Sequence, residues 1–224
     1  MINLLFPRRC PCCQQPLLPA EETVCLKCLV SLPRIHAEMS DNAVEARMVG
    51  QFAFEHGTSF CFYTHGGSVA NIIKQAKYQD RPWVDAELAR LFVQELQLAQ
   101  SAWPYDVDCI VPIPIHLSRL LLRGYNQAMA IAEGLHEAWQ LPIESHCLKK
   151  KFTQHTQVGL SREKRLHSVM GTFTVSHPER LRGRHVLLVD DVLTTGATLV
   201  AAADALLAEV PNVRISFLTL AMSD

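Results

Sequence analysis

The residues best suited to chemistry lie near the end of the chain, in Val186-Leu187-Leu188-Val189-Asp190-Asp191-Val192-Leu193-Thr194-Thr195-Gly196-Ala197-Thr198. A four-residue apolar strand, 186–189, runs into two adjacent carboxylates, and a short loop of threonines and glycine then opens a helix. The N–H groups of such a loop, together with the positive end of its helix, form a site for a phosphate group. Gly196 lets the backbone approach a ligand closely because it has no Cβ. Thr194, Thr195 and Thr198 add hydroxyl donors around Ala197. Asp190 and Asp191 cannot themselves bind phosphate, since like charges repel. They suit hydrogen bonds from two neighbouring hydroxyls, such as the 2′ and 3′ groups of a ribose. A phosphate and a vicinal diol held together describe a ribose 5-phosphate. The chain has no Gly-x-x-x-x-Gly-Lys-Ser/Thr, which excludes a nucleoside-triphosphate P-loop, and no Gly-x-Gly-x-x-Gly after a strand, so a dinucleotide fold has no support.

A second constellation is made of thiols. Five of the eight cysteines crowd into the first 28 residues. Cys10-x2-Cys13 and Cys25-x2-Cys28 are two knuckles separated by eleven residues, a four-thiolate zinc spacing. Residues 7–30 lack helical or strand periodicity and cannot bury a core of their own, so a metal has a stapling role there. Four thiolates leave no open coordination position, so the expected zinc is structural. Arg8, Arg9 and Lys27 lie near enough in sequence to offset its excess negative charge. Cys12 leaves a second register open, with Cys10 and Cys12 as the first pair, which fits tetrahedral knuckles less well. Cys61 and Cys109 fall in apolar strands and are expected to be small core residues.

Basic residues form the third group. Residues 112–185 hold 11 Lys/Arg against 5 Asp/Glu, and the rest of the chain holds 10 against 17. A basic middle inside a chain of net charge −1 fits an anionic ligand at one site better than a uniformly basic coat. Arg119, Arg123-Gly124-Tyr125-Asn126-Gln127, Lys149-Lys150-Lys151 and Arg162-Glu163-Lys164-Arg165 supply the charge. Their complement is a pyrophosphate or a nucleic-acid backbone. Asn126 could also be the N-cap of the helix that follows.

The elements that must position these groups alternate in the βαβ manner. Strands are expected at 59–63, 107–113, 186–189 and 213–221, and helices at 68–78, 83–98, 126–139 and 199–208. The stretch 149–170 is poorly periodic and reads as a long exposed loop. Together these predict an α/β fold with a mostly parallel sheet covered on both faces. The expected division is a zinc-binding module at 1–30, a connector at 31–54 and the larger domain at 55–224. Apolar residues make up 49% and charged residues 19%, which excludes disorder as the dominant state. No apolar run is long enough to cross a bilayer. Arg8 and Arg9 follow a very short apolar stretch, the reverse of a secretory signal, so a cytoplasmic location with reduced thiols is expected.

Residues 186–198 resemble the phosphoribosyl-pyrophosphate (PRPP) motif of the type I phosphoribosyltransferases. With the cysteine module, the Arg123–Gln127 segment and the spaced Thr156, Gln157, Leu160, Arg165 and Phe173, the chain resembles the ComF family. These are bacterial proteins in which a cysteine module precedes a phosphoribosyltransferase fold. The family usually has Phe where Tyr125 stands, and a Lys-Tyr or Lys-Phe pair after the first helix, matched by Lys77-Tyr78. Its usual later Asn is replaced by His167-Ser168, so that role is not carried over.

The resemblance implies PRPP with Mg²⁺ as ligand, a structural zinc, and a cytoplasmic role in handling incoming single-stranded DNA during natural transformation, beside a helicase-like partner. It further implies that Asp190 and Asp191 hold the ribose hydroxyls, as catalytic residues if the chemistry is retained. Thr194, Thr195, Gly196, Ala197 and Thr198 would hold the 5-phosphate. Arg123, Lys77 and the Lys149 segment would neutralise the pyrophosphate. The alternative is an active phosphoribosyltransferase in which a base or amine attacks C1 as pyrophosphate leaves.

Overall fold

The computed structural model describes residues 8–35, 42–78, 81–151 and 172–223. Its strands are β1 (Gly57–Tyr63), β2 (Cys109–Pro112), β3 (Leu148–Lys150), β4 (Phe173–Val175), β5 (His185–Leu193) and β6 (Arg214–Ser223). The helices are α1 (Leu26–Val30), α2 (Ala43–Met48), α3 (Ser68–Tyr78), α4 (Pro82–Leu98), α5 (Leu117–Arg123), α6 (Gln127–Trp139) and α7 (Ala197–Glu209). Strands β1, β6, β5 and β2 lie side by side in that order, all parallel, and β3 and β4 form a separate antiparallel pair. The expected α/β architecture is present.

Both faces of the sheet are covered because its central strands are apolar on both sides. Along β5, Leu187 and Val189 join a core that includes Ile72, Val84, Leu88, Phe92 and Ile131 from α3, α4 and α6. Val186 and Leu188 join a second core with Val44 and Met48 of α2, Leu199 and Leu206 of α7, and Leu148 and Phe173 of the small hairpin. The helices approach closely where glycine permits. A Cβ on Gly134 of α6 would lie 2.3 Å from the carbonyl oxygen of Ala86 in α4.

Three expectations change. The strand expected at 186–189 continues to Leu193, so Asp190 and Asp191 lie inside β5 rather than in a loop after it. Parallel pairing with β6 carries the chain onward, with Asp190 opposite Thr219 and Leu193 opposite Met222. The strand expected at 107–113 is shorter, because Pro112 and Pro114 lack N–H groups and end its ladder with β5 at the Pro112–Val189 pair. The stretch expected as an exposed loop from 149 begins as strand, since Lys149 and Lys150 pair with Thr174 and Phe173. The rest of that stretch, with Thr156, Gln157, Arg162, Arg165, His167 and Ser168, lies outside the described residues. Within 31–54, α2 places Val44 and Met48 fully in the core. No helix among the described residues is long and apolar enough to cross a membrane.

Candidate functional site

Successive residues of a strand face opposite sides of its sheet, and this sorts the two carboxylates. Asp191 follows Leu187 and Val189 onto the side of α3, where Lys77 forms an ion pair with its Oδ2. Lys77 and Asp191 are each 18% exposed, so the pair is partly shielded from water. Asp190 follows Val186 and Leu188 onto the side of the small hairpin, where Lys150 of β3 feels its charge. Beyond Val189, β5 has lost β2 as a neighbour, and the carboxylates emerge at that open edge. Each also folds back on the backbone. Asp191 N–H donates to Asp190 Oδ1 at 2.9 Å, and Val192 N–H donates to Asp191 Oδ1 at 2.7 Å.

Burial pushes the Asp190 carboxyl up to about 7, and the adjacent Asp191 charge pushes in the same direction. On the same side of β5, burial lowers Lys150, with Arg119 nearby adding to the effect and Asp190 opposing it. The Lys150 ammonium sits 5.2 Å from the centre of the Phe173 ring. The structure thus separates the lysine run. Lys150 is turned inward towards Asp190, while Lys149 and Lys151 are exposed.

After Leu193 the chain turns through Thr194 and Thr195, both exposed, to Gly196 at the N-cap of α7. Gly196 has φ of +78°, and a Cβ there would stand 2.5 Å from the Met48 sulfur. Glycine is therefore required both by the left-handed backbone and by α2 behind the loop. The Ala197 N–H donates to Thr195 Oγ1 at 3.4 Å, and Thr198 lies in the first turn of α7. The amides of that 13-residue helix point into the loop, as a phosphate site needs.

At the carboxyl ends of β1, β5 and β6 lies a cleft of about 750 Å³, lined by Tyr63, His65, Lys74, Lys77, Arg123 and Thr194 among others. Ligands of open parallel sheets sit at such strand ends. The structure brings Lys77, Arg123 and Thr194 together around it, with Asp191 behind Lys77 as its ion-pair partner. Arg123 ends α5 and donates from Nη1 to Gln127 Oε1 at 3.0 Å. Asn126 is the N-cap of α6, its Oδ1 accepting from Ala128 N–H while its Nδ2 donates to the Ile113 carbonyl. That links the Arg123–Gln127 segment to the end of β2.

Sequence reasoning missed Asp85. It is 1% exposed in α4, and Tyr125 donates its hydroxyl to Oδ2 at 3.0 Å. Burial raises Asp85 to about 7, against the Tyr125 hydrogen bond, while Asp191 adds to the rise and Lys77 opposes it. The available signal was a carboxylate in the same helical stripe as Leu88, Ala89 and Phe92. Lys74, three residues before Lys77 and on the same side of α3, was also missed.

The four sulfurs of Cys10, Cys13, Cys25 and Cys28 lie within 4.8 Å of one another, with Cys13 and Cys25 at 3.7 Å. Zinc–sulfur bonds of about 2.3 Å in a tetrahedron place sulfurs about 3.8 Å apart, so the donor set fits one zinc ion. Burial opposes ionisation of Cys10, but backbone N–H groups of Cys25, Cys13 and Cys12 outweigh it and bring the thiol down to about 6. Cys12 is resolved by its direction. Its sulfur neighbours those of Cys10 and Cys28 but is directed at the Ser68 carbonyl at 3.8 Å, and it is not one of the four that converge. The Cys10 and Cys12 register is therefore not the one adopted. Glu21 fixes the second knuckle by accepting from Leu26 N–H at 2.8 Å and Leu18 N–H at 2.7 Å. Cys61 and Cys109 are buried in β1 and β2, as expected of core residues.

Comparison with known proteins adds three relatives and one domain family. Residues 121–223 match the phosphoribosyl transferase domain. Competence protein F of Haemophilus influenzae is 32% identical over 130 residues, which is 57% of this chain and 57% of that protein. DNA utilization protein YhgH of Salmonella typhimurium is 31% identical over 137 residues, 61% of this chain and 60% of its own length. Both alignments span less than two thirds of the relative. Competence protein ComFC of Bacillus subtilis is 28% identical over 228 residues, 92% of this chain and 87% of that protein.

Proposed function

We propose that the chain, which carries a phosphoribosyltransferase-type domain and resembles the competence proteins F and ComFC, is a ComF-family protein that binds PRPP with its Mg²⁺ and acts in the cytoplasm on incoming single-stranded DNA during natural transformation. The observation that carries the ligand is the acidic pair at the open end of β5, followed by the Thr194–Thr195–Gly196 turn into α7 and faced by Lys77 and Arg123. In this reading Asp190 and Asp191 accept the ribose hydroxyls. Thr194, Thr195, Gly196, Ala197 and Thr198 hold the 5-phosphate. Lys77, Arg123 and Lys150 balance the pyrophosphate, and Mg²⁺ arrives with the ligand. The DNA role rests on the relatives, whose names speak of competence and of DNA utilization, and on the basic balance of residues 112–185. A helicase-like partner belongs to the same proposal, as does the division into a zinc module at 1–30, a connector at 31–54 and a ligand-binding domain at 55–224.

One observation favours the second reading, an active transferase. The cleft is larger than one sugar phosphate needs, and Tyr63, Ile73 and Val192 give it an apolar wall suited to a planar acceptor. In that reaction the C1–pyrophosphate bond breaks, the acceptor's lone pair forms the new bond to C1, and the carboxylates stabilise the oxocarbenium-like charge between the two.

Calorimetry with PRPP and Mg²⁺ tests the shared premise. Native protein should bind one PRPP, and Asp190→Asn with Asp191→Asn should weaken binding at least about tenfold while the fold is retained. Unchanged affinity in the double variant would sink the assignment. Pyrophosphate release assayed against a panel of bases and amines, with and without single-stranded DNA, separates the two readings.

A further inference from the structure

A smaller cavity of about 310 Å³ lies on the other side of α3, at the seam between the cysteine module and the start of α4. The faces of α3 divide the two spaces. Lys74 and Lys77 look into the cleft, whereas Ile72 and Gln75 line the seam. Two guanidinium groups meet there, Arg8 from the module and Arg81 from the N-cap of α4. Arg8 makes only a long contact, 3.5 Å to the Glu22 carbonyl, and the Arg81 side chain has no hydrogen bond or ion pair among the described residues. The 17-residue α4 has no side-chain cap, Pro82 at its start has no N–H, and Val84 N–H donates to the Arg81 carbonyl at 3.0 Å, so this helix end offers its positive dipole more than free amides.

A second, independent observation lies in the same wall. Thr23 is 8% exposed, lines the cavity, and its Oγ1 has no hydrogen-bond partner among the described residues. A buried hydroxyl without a partner is costly unless a ligand or water supplies one. Among the described residues of the lining, Glu22 is the opposing charge to Arg8 and Arg81. Trp83 completes the rim with a ring that is 53% exposed.

We propose that this seam is a second ligand site, separate from the Asp190–Asp191 cleft, that takes one nucleotide unit. Its phosphate lies between Arg8, Arg81 and the N-terminus of α4, with the Thr23 hydroxyl as a further donor. Its base stacks on Trp83. Guanidinium pairs beside the positive end of a helix select phosphate, an indole face accepts any base, and the volume suits a single small ligand. The unit could come from a free mononucleotide or from the phosphorylated end of a strand. The assignment does not depend on PRPP binding.

The test is calorimetric titration of the full chain with AMP, with adenosine and inorganic phosphate as part-ligands. At least one AMP should remain bound in the Asp190→Asn/Asp191→Asn double variant, and Arg81→Gln should weaken that site about tenfold or more. Phosphate should compete, and adenosine alone should bind too weakly to measure. AMP should quench tryptophan fluorescence in native protein but not in Trp83→Phe. Thr23→Val should weaken AMP without lowering the melting temperature, because the hydroxyl has no partner to lose. AMP binding abolished by the double variant and untouched by Arg81→Gln would assign all of it to the cleft and overturn the proposal, as would no AMP binding at all. A 5′-phosphorylated oligonucleotide that displaces AMP, where its unphosphorylated counterpart does not, identifies the strand end as source. Failure of both to displace it identifies the free nucleotide.

Discussion

Asp190 and Asp191 are neighbours in sequence but face opposite sides of β5, and each meets a different lysine. Lys77 from α3 holds Asp191, and Lys150 from β3 stands near Asp190. The acidic pair was legible from the order of residue types, because a strand followed by carboxylates and a Thr/Gly turn has few other uses. Its division between two faces was not, because the strand's length depends on pairing with β6, and residue types do not report where a ladder ends. Asp85 was hidden for a related reason. Its role follows from a hydroxyl on Tyr125, 40 residues away in the chain. The two raised carboxyls give a signed prediction. A carboxyl that titrates near 7 when folded and near 3.9 when unfolded favours the fold fully below about pH 4 and loses that favour as pH rises to 7. Asp85→Asn keeps the acceptor for Tyr125 and removes the charge, so it should stabilise the ligand-free protein by up to about 4 kcal/mol at pH 8 and by almost nothing at pH 4. Denaturant unfolding at the two pH values checks this. Equal effects at both would mean that the carboxyl is ionised in the fold at ordinary cost.

At the scale of elements, the helices 68–78, 83–98, 126–139 and 199–208 were readable because each carries an apolar stripe or run that the sheet buries. Helix α5 was not, since none of its residues is buried and it contributes no such stripe. The hairpin of β3 and β4 was missed because strands of three residues carry too little alternation to detect. The loop between β5 and α7 binds its neighbours through Gly196. Gly196→Ala places a Cβ against Met48 in a left-handed backbone, and should cost about 2 to 4 kcal/mol in denaturant unfolding. It should also weaken PRPP, because a Cβ strains the left-handed backbone of the loop whether or not the Met48 thioether gives way. The zinc knuckles behave as a different kind of element. Cys10, Cys25 and Cys28 share an apolar cluster with Val69, Ile72 and Val84 of α3 and α4, so metal loss should not be confined to the module. Chelation should release zinc at one equivalent per chain, unravel residues 8–32, and speed amide exchange in α3 and the first turns of α4. Exchange confined to the module, or metal analysis without zinc, would contradict this.

Across the whole molecule, charge is where sequence and structure diverge most usefully. Among the described residues, the basic excess of 112–185 does not converge on one place. Arg180 and Arg184 pair with the buried Glu144, at 3.0 Å and 3.2 Å, well away from the acidic pair. Lys74 and Lys77, from outside that stretch, line the cleft instead. Among the described residues, the basic middle near the site consists of Arg119, Arg123, Lys149 and Lys150, with Lys151 beside them. A single strand using three or four such cations should show a log–log salt slope of about −2 to −3, at about −0.7 per phosphate contact. The structure divides those contacts by ligand. Lys149 is exposed and faces away from Asp190 along β3, so Lys149→Gln should flatten the DNA slope by about 0.7 and leave PRPP affinity unchanged. Lys150 is turned to Asp190 and lies over Phe173, so Lys150→Gln should weaken PRPP and change the DNA slope little. Filter binding of a labelled oligothymidylate over a range of salt, with calorimetry for PRPP, measures both. If Lys150→Gln changed DNA and PRPP binding together, backbone phosphate would be sharing the cleft, and PRPP should then compete with the strand. If neither substitution altered a measurable DNA slope, DNA handling would have to run through a protein partner instead of this surface.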